Sequence, residues 1–289
     1  MKKKREHKIL GSPERLARTT FALVMGAFVV SMIYVVIVLA TTPADEDVTF
    51  SGRHRSEYVL MLLQCLLGIV GMLFPSFLDR RFRISVPLGM MVMYTVFLYG
   101  AIYLGEVRSF YYLVPYWDVI LHFFSGVMLG CLGFSVVVML NDAQSVHITL
   151  SRGYVAFFAF CFAVMIGVVW EIYEFATDGI FGTNMQKFML EDGTMLVGRA
   201  ALTDTMKDLI VDCCGAGLVC IAGCLSLRKG RHWLIAMMLR KITSSGSVEP
   251  FGEMVTIEGL EKPETRGETA TVTADAEAKP DGGQSDSEK

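Results

Sequence analysis

The chain has 289 residues, of which 53% are hydrophobic and 19% are charged, and its formal net charge is −3 at pH 7. Soluble domains carry about 25% charged residues and break their apolar residues into short runs, so this composition excludes a soluble globular enzyme and a disordered chain. The small negative charge argues against a nucleic-acid-binding protein. All seven cysteines lie within apolar runs and show no CxxC spacing, so we expect them to pack as small hydrophobic side chains.

Apolar runs long enough to cross a membrane recur along most of the chain. A helix needs about 20 apolar residues to span the hydrocarbon core. By this measure the sequence predicts six transmembrane helices, near residues 21–40, 58–74, 86–104, 119–140, 154–175 and 205–227. The first run is too long for the apolar region of a signal peptide, so we interpret it as a retained span. The predicted fold class is therefore all-α, a polytopic membrane helical bundle.

The segments outside the predicted spans differ in charge. Residues 1–20 are basic, and the loops on the same side of the bundle are richer in Lys and Arg than those on the other side, which predicts that both termini are cytoplasmic. Residues 228–242 form a basic juxtamembrane segment that either lies along the inner interface or is an ordinary positive flank. Residues 243–289 are acidic and poor in aromatic residues, which predicts a disordered cytoplasmic tail.

Ionisable residues are concentrated in the last three predicted spans. The three clusters, in chain order, are Asp118 with His122, Glu171 with Glu174, and Asp204 with Asp208 and Asp212. A charged side chain at mid-bilayer costs about 2.5–3.5 kcal/mol on insertion scales and usually faces the bundle interior. Residues three or four apart share one face of a helix. Because the spans alternate in direction, we expect all three clusters at the outer ends of their helices, facing one another.

These carboxylates need a compensating charge, since a buried carboxylate pairs with a cation, binds a metal or takes up a proton. The nearby cations are Lys207, Arg199 and Lys187. We therefore predict a site for a divalent metal ion, which would be Mn, Fe or Zn, or Mg or Ca if the histidine does not ligate it. The predicted ligands are His122, Glu171 and Asp208, which are also the predicted catalytic residues, together with Asp118, Glu174 and Asp212. A protonated, hydrogen-bonded network is the alternative that the residues leave open.

Two further features bear on this site. Residues 176–204 are predicted to form the longest outer loop, including Glu191 and Asp192, and to act either as a lid over the carboxylates or as a plain connector. Small residues are expected to let the helices approach closely, namely Gly126, Gly130, Gly133, Gly215 and Gly217.

The order and spacing of these motifs carry a family resemblance. The motifs are Trp117-Asp118-x3-His122-Phe123, Trp170-Glu171-x2-Glu174, Asn184-Met-Gln186 and Asp204-x3-Asp208-x6-Gly215. Over residues 80–227 the chain resembles the YjdF-like bacterial inner-membrane proteins of unknown function. It is distantly similar to VanZ-type membrane proteins, but has Glu174 where Gln is usual and lacks the expected Asn before the glycine. The resemblance implies a bacterial inner-membrane location and supplies no reaction.

Three functions remain open from the sequence. The first is a metal-dependent enzyme that acts on an envelope lipid entering from the outer leaflet. The second is a proton-coupled transporter that uses the same acids as titrating groups, although the two halves show no repeat and no paired Pro/Gly breaks. The third is a non-catalytic membrane assembly factor whose acids form a structural network. Membrane lipids are the expected partners, and no nucleic acid is expected.

Overall fold

The computed structural model describes residues 13–43, 48–49, 53–142, 150–190, 193–228 and 240–241. The elements in chain order are α1 (Pro13–Thr41), α2 (Arg55–Phe82), β1 (Ile84–Ser85), α3 (Leu88–Leu98), a π-helix (Tyr99–Val107), α4 (Phe110–Leu113), α5 (Trp117–Asp142), α6 (Arg152–Phe181), α7 (Arg199–Arg228) and β2 (Arg240–Lys241). Within these described ranges, six helical segments are long and apolar enough to cross a membrane, with α3 and the π-helix together forming the third. The predicted all-α class and the number of six spans are therefore confirmed.

Two of the helices that carry acidic residues extend beyond the predicted spans. Helix α6 runs on to Phe181, and Gly182 follows it with a φ of 64°, a left-handed conformation that glycine adopts readily. Helix α7 begins at Arg199, so Asp204 lies within it and not in a loop. The connection between them is residues 182–198, shorter than the predicted 176–204. The predicted connection was too long because hydropathy marks only the apolar portion of a helix, whereas turn and capping residues determine where the helix ends.

The helices pack in two groups, each around its own apolar cluster. In the N-terminal group, Phe28 of α1 and Tyr58 and Met72 of α2 are fully or almost fully buried. In the C-terminal group, Phe134 of α5 and Val155 of α6 are completely buried. Large apolar side chains also cover the outside of the bundle, among them Ile33, Phe157, Ile172 and Ile221. An apolar outer surface of this kind is expected where helices contact lipid.

Glycines bring α5, α6 and α7 into close contact. A Cβ atom added at Gly126 would lie 2.5 Å from the carbonyl oxygen of Asp212, and one at Gly215 would collide with the carbonyl of Phe123. At Gly130 and Gly133 an added Cβ would also collide, with Val219 and Ala159. Gly217 differs, because its nearest neighbour beyond its own helix is a Phe160 ring atom at 3.9 Å. Four of the five glycines singled out from the sequence therefore permit close approach, which draws the acidic faces together.

The π-helix connects the two groups. The indole nitrogen of Trp117, the first residue of α5, donates to the carbonyl of Gly100 at 3.1 Å. Single π-helical turns are uncommon and occur frequently at functional sites. A two-residue antiparallel pairing joins Ile84–Ser85 to Arg240–Lys241. Of the other segments outside the predicted spans, residues 1–12, 229–239 and the tail at 243–289 lie outside the described residues, as does Ile242.

Candidate functional site

His122 lies at the centre of the acidic cluster, one turn into α5, and is 8% exposed. Its Nδ1 atom is 3.3 Å from Oδ2 of Asp212 on α7, and its Nε2 atom is 3.7 Å from Oδ1 of Asp118 on its own helix. The hydroxyl of Ser125 lies 2.9 Å from the other oxygen of Asp212. The imidazole is therefore held between two carboxylates on different helices.

The clusters predicted from the sequence converge around this histidine. Asp118, His122 and Asp208 each offer one ligand atom, and these three atoms lie within 4.8 Å of one another. His122, Glu171 and Glu174 form a second group of the same size. Helix packing thus brings residues of α5, α6 and α7 to one place at the same end of the three helices. Both groups have dimensions that would suit a metal ion, although acidic groups also occur together without one.

Glu171 is the least satisfied residue of the cluster. It is 4% exposed, and although the Thr205 hydroxyl lies beside its carboxylate, neither oxygen has a well-formed hydrogen bond from a described residue. Asp208 is 1% exposed, and its Oδ1 atom is also without such a bond. Glu174 differs, because the indole of Trp170 donates to its Oε1 at 2.8 Å. Burying an ionised group without a partner is costly, so the Glu171 site requires a cation or a proton.

Lys187 supplies a positive charge from the connection between α6 and α7. Its Nζ atom donates to Asp118 and lies 3.4 Å from Oδ2 of Asp204. Burial opposes the charged amine, but the carboxylates of Asp118 and Asp204 outweigh it, so the pKa of Lys187 lies above its ordinary value. Lys207 lies 3.9 Å from Asp204. Two lysines and one imidazole thus face six carboxylates in the described cluster, which leaves an excess of negative charge if all are ionised.

The segment that carries Lys187 has a defined structure. The carboxylate of Asp178 accepts hydrogen bonds from the Thr183 hydroxyl at 2.6 Å and from the backbone nitrogens of Met185 and Gln186 at 2.8 and 3.0 Å. Lys187 itself has a φ of 48°. These contacts point the lysine amine towards the cluster, as expected for a segment lying above it. Glu191 and Asp192 of the same predicted loop lie outside the described residues.

A second set of contacts ties this connection to itself and to α7. Asn184 donates to the carbonyl of Met189 at 2.6 Å and accepts from its nitrogen at 3.0 Å, closing a small loop. The side-chain amide of Gln186 donates to the Thr205 hydroxyl at 2.9 Å. The Asn184-Met-Gln186 motif of the sequence therefore has a structural explanation, because the Asn184 amide closes the loop and the Gln186 amide ties it to α7.

A cavity of about 380 Å³ adjoins the cluster and lies between the two helix groups. Asp118, His122 and Glu174 line its polar side, whereas Leu67 and Leu98 belong to its apolar side. The cavity is therefore amphipathic. Its size is at the lower end of the range of small-molecule sites, which is about 300–1,000 Å³.

The six acids and the histidine of the cluster were predicted from the sequence, but several of their neighbours were not. Ser125 was not singled out, although it lies one helical turn from His122 and so could have been found by spacing. Gly167 was missed as well, and a Cβ atom there would lie 2.6 Å from Oδ2 of Asp212. Glu106 of the π-helix lines the cavity, but as a single acid near the end of a span it gave no distinctive signal. Lys187 was counted only as a nearby cation.

The six apolar helices of the described part of the chain, with charged residues gathered inside the bundle, define a multi-pass integral membrane protein. The chain belongs to the family described as "Predicted membrane protein (DUF2238)", whose model matches residues 22–229. The resemblance to YjdF-like proteins is consistent with this family, and the more distant VanZ resemblance stays a prediction.

Comparison with curated proteins gives an uncharacterised relative. A Thermotoga maritima protein described as "Uncharacterized protein" is 32% identical over 127 residues, which are 44% of this chain and 56% of that protein. The chain thus matches little more than half the length of this relative. No solved structure matches the chain.

Proposed function

We propose that the protein binds a divalent cation between α5, α6 and α7 and uses it for chemistry on an amphipathic envelope lipid. The observation that carries this proposal is the Glu171 carboxylate, which is 4% exposed and has both oxygens without a well-formed hydrogen bond from the described residues. A buried carboxylate with an imidazole and a second carboxylate, that of Glu174, within 4.8 Å is a donor set that suits a metal ion.

The contacts of His122 suggest how the ligands divide their roles. If Nδ1 donates its proton to Asp212, the lone pair of Nε2 faces the Asp118 and Asp208 side of the cluster. Histidine ligands of metals commonly donate their second ring nitrogen to a carboxylate in this way. We therefore propose His122, Asp118, Asp208 and Glu171 as ligands, with the free oxygen of Glu174 in reserve. Asp212 would orient the histidine.

The cavity gives this site its proposed substrate class. The apolar wall formed by Leu67 and Leu98 would hold a hydrocarbon chain, and the polar end would be beside Asp118 and Lys187. A bound divalent ion would polarise a phosphoryl or acyl oxygen, or lower the pKa of a water molecule. The chain's own part is to orient the polar end through Lys187 and to exclude bulk water through the connection at 182–198.

We further propose that the site faces the outer leaflet of a bacterial inner membrane, with both termini in the cytoplasm. The excess of Lys and Arg beside the termini supports this orientation. A cysteine introduced at position 182 of a chain without its native cysteines would report it. Labelling of intact cells by a membrane-impermeant maleimide is expected, whereas labelling only after lysis would contradict the orientation.

Metal analysis of the purified protein tests the proposal most simply. After purification without chelator, the wild type is expected to contain about one equivalent of a divalent metal, and the Glu171→Gln and His122→Ala variants far less. Glu57→Gln is a matched control, since Glu57 accepts a hydrogen bond from the backbone of His54 and belongs to neither metal group. Equal metal content in the wild type and both cluster variants would contradict the metal site.

Turnover of lipid tests the second half of the proposal. The wild type, reconstituted in vesicles of bacterial polar lipids with added Mn²⁺, is expected to convert one lipid class, and Glu171→Gln to be inactive. The products would be separated by mass spectrometry. A protein that binds metal stoichiometrically but leaves every lipid class unchanged would contradict the enzymatic role while leaving the metal site intact.

A further inference from the structure

The cavity has a second acidic wall that the metal groups do not include. Glu106 lies in the last turn of the π-helix, lines the cavity and is half-buried. It belongs to the N-terminal helix group, whereas Asp118, His122 and Glu174 belong to the C-terminal group. Carboxylates therefore border the cavity from both groups.

The carboxylate of Glu106 has no hydrogen-bond donor among the residues that the structure describes. Arg53 is its closest source of positive charge, but the guanidinium donates to the Ser109 hydroxyl and does not line the cavity. Lys187, the one lysine or arginine among the lining residues, is shared by Asp118 and Asp204. If all are ionised, the four carboxylates that line the cavity outnumber its lysine and its histidine.

Aromatic rings add to this preference for positive charge. Tyr94, Phe97, Tyr111 and Trp170 line the cavity, and an aromatic face attracts a cation within about 6 Å. The Nζ atom of Lys187 already lies 5.9 Å from the centre of the Tyr111 ring. Burial, reinforced by the Asp118 carboxylate, raises the pKa of Tyr111, so its hydroxyl stays neutral and can donate a hydrogen bond.

The size of the cavity favours a ligand larger than a metal ion. A volume of about 380 Å³ is far larger than an ion needs, and Leu60, Leu67 and Leu98 make one side apolar. We propose that the cavity binds an amphipathic primary amine, with its ammonium group at Glu106 and its hydrocarbon chain along these leucines. Such amines would then be the substrate class of the enzyme proposed above. This step rests on the proposed function, in which the cavity is the substrate site of that enzyme.

Two sources share this chemistry, a phospholipid with an amino headgroup and a free long-chain amine. The probes are phosphatidylethanolamine and dodecylamine. Each is compared with a partner compound of the same chain that lacks the ammonium group. The partner of phosphatidylethanolamine is its N-acetylated form, and the partner of dodecylamine is dodecanol. Binding is measured by native mass spectrometry of the detergent-solubilised full chain, in the presence of EDTA. Because no divalent metal is available, the result does not depend on the metal site.

The wild type is expected to bind at least one of the two amines about tenfold more tightly than its partner, as a charge-assisted hydrogen bond of about 1.4 kcal/mol predicts. Glu106→Gln is expected to abolish this discrimination and Glu106→Asp to keep part of it. Asp79→Asn, which changes an acid of α2 that does not line the cavity, is expected to leave it unchanged. Which amine is selected identifies the source.

Three results would overturn the inference. They are equal binding of each amine and its partner by the wild type, discrimination that survives Glu106→Gln, and unchanged amine binding when Leu67→Trp fills the apolar side. The Glu106→Asp variant keeps the carboxylate. If it still discriminates, a folding defect is excluded as the cause of the loss in Glu106→Gln. Amine selectivity in a protein that never retains metal would uphold this inference and contradict the metal proposal, so the two failures are distinguishable.

Discussion

The Oδ2 atom of Asp212 and the Nδ1 atom of His122 are 3.3 Å apart, although the two residues are 90 positions apart in the sequence. Gly126 makes this pairing possible, since α7 passes so close that a Cβ atom there would meet the Asp212 carbonyl. Gly167 of α6 leaves room for the same carboxylate from the other side. A buried polar contact between two helices thus depends on the absence of two side chains.

Replacing Asp212 with asparagine is expected to weaken metal binding without removing a proposed ligand. The variant loses the carboxylate that orients His122, and loss of such a supporting group typically costs 10- to 100-fold in metal affinity. Titration calorimetry with Mn²⁺ measures the change. The control is Ser125→Ala, which removes a neutral contact to Asp212 and is expected to have a smaller effect. Unaltered affinity in Asp212→Asn would show that His122 needs no orienting partner.

Replacing Gly126 with alanine is expected to destabilise the protein. The added methyl group meets backbone atoms of Asp212 and Ala216, which cannot move aside as a flexible side chain can, and overpacking of this kind costs about 1–3 kcal/mol. Thermal unfolding in detergent would show a lower Tm. Gly26→Ala is the matched control, since Gly26 is also helical and an added Cβ meets nothing within 4 Å. Equal Tm values for the two variants would contradict the close helix contact.

Replacing Asp178 with alanine is expected to loosen the connection between α6 and α7. An acid in the last turn of a helix is disfavoured by the helix dipole, so its place here follows from the three hydrogen bonds that it accepts. Hydrogen exchange is expected to accelerate at Met185 and Gln186. Residues 160–170 of α6 serve as the internal reference. No change in exchange would mean that the bonds of Asn184 and Gln186 hold the connection without Asp178.

Replacing Lys187 with methionine is expected to have opposite effects with and without metal. Without metal, Asp118 and Asp204 lose their shared cation, so the Tm falls. In a calcium or manganese titration, the lysine amine no longer competes with the metal ion for Asp118, so the apparent affinity for the metal rises. Lys207→Met is the control, because its amine is 3.9 Å from Asp204 and is more exposed. Weaker metal binding in Lys187→Met would show that the lysine supports the site.

Hydropathy was sufficient to predict the six spans, because a run of about 20 apolar residues has few alternatives to a membrane helix. It did not predict where α6 ends, since Gly182 and not the loss of hydropathy ends that helix. The change from α-helix to π-helix at Tyr99 has no pattern in the sequence that predicts it. The carbonyl that accepts the Trp117 bond, that of Gly100, lies within this π-helix.

The residues of the cluster were predictable because i, i+3 and i, i+4 spacing places acids on one face of each helix. Their pairing was not. Spacing cannot show that Asp212, and not Glu171, lies against Nδ1 of His122, because that choice depends on how α5, α6 and α7 cross. Nor can it place Lys187, whose amine reaches Asp118 only because its backbone has a positive φ and Asp178 holds the preceding residues.

The Tm of the wild type and of Glu171→Gln, each measured in EDTA and in excess Mn²⁺ or Zn²⁺, tests the metal site most directly. A divalent metal is expected to raise the Tm of the wild type and to have little effect on the variant, because Glu171 is a proposed ligand. If Glu171 is instead a protonated member of a hydrogen-bonded network, its amide is an adequate replacement. A wild type insensitive to both chelator and metal, together with a Glu171→Gln variant of higher Tm, would contradict the metal site.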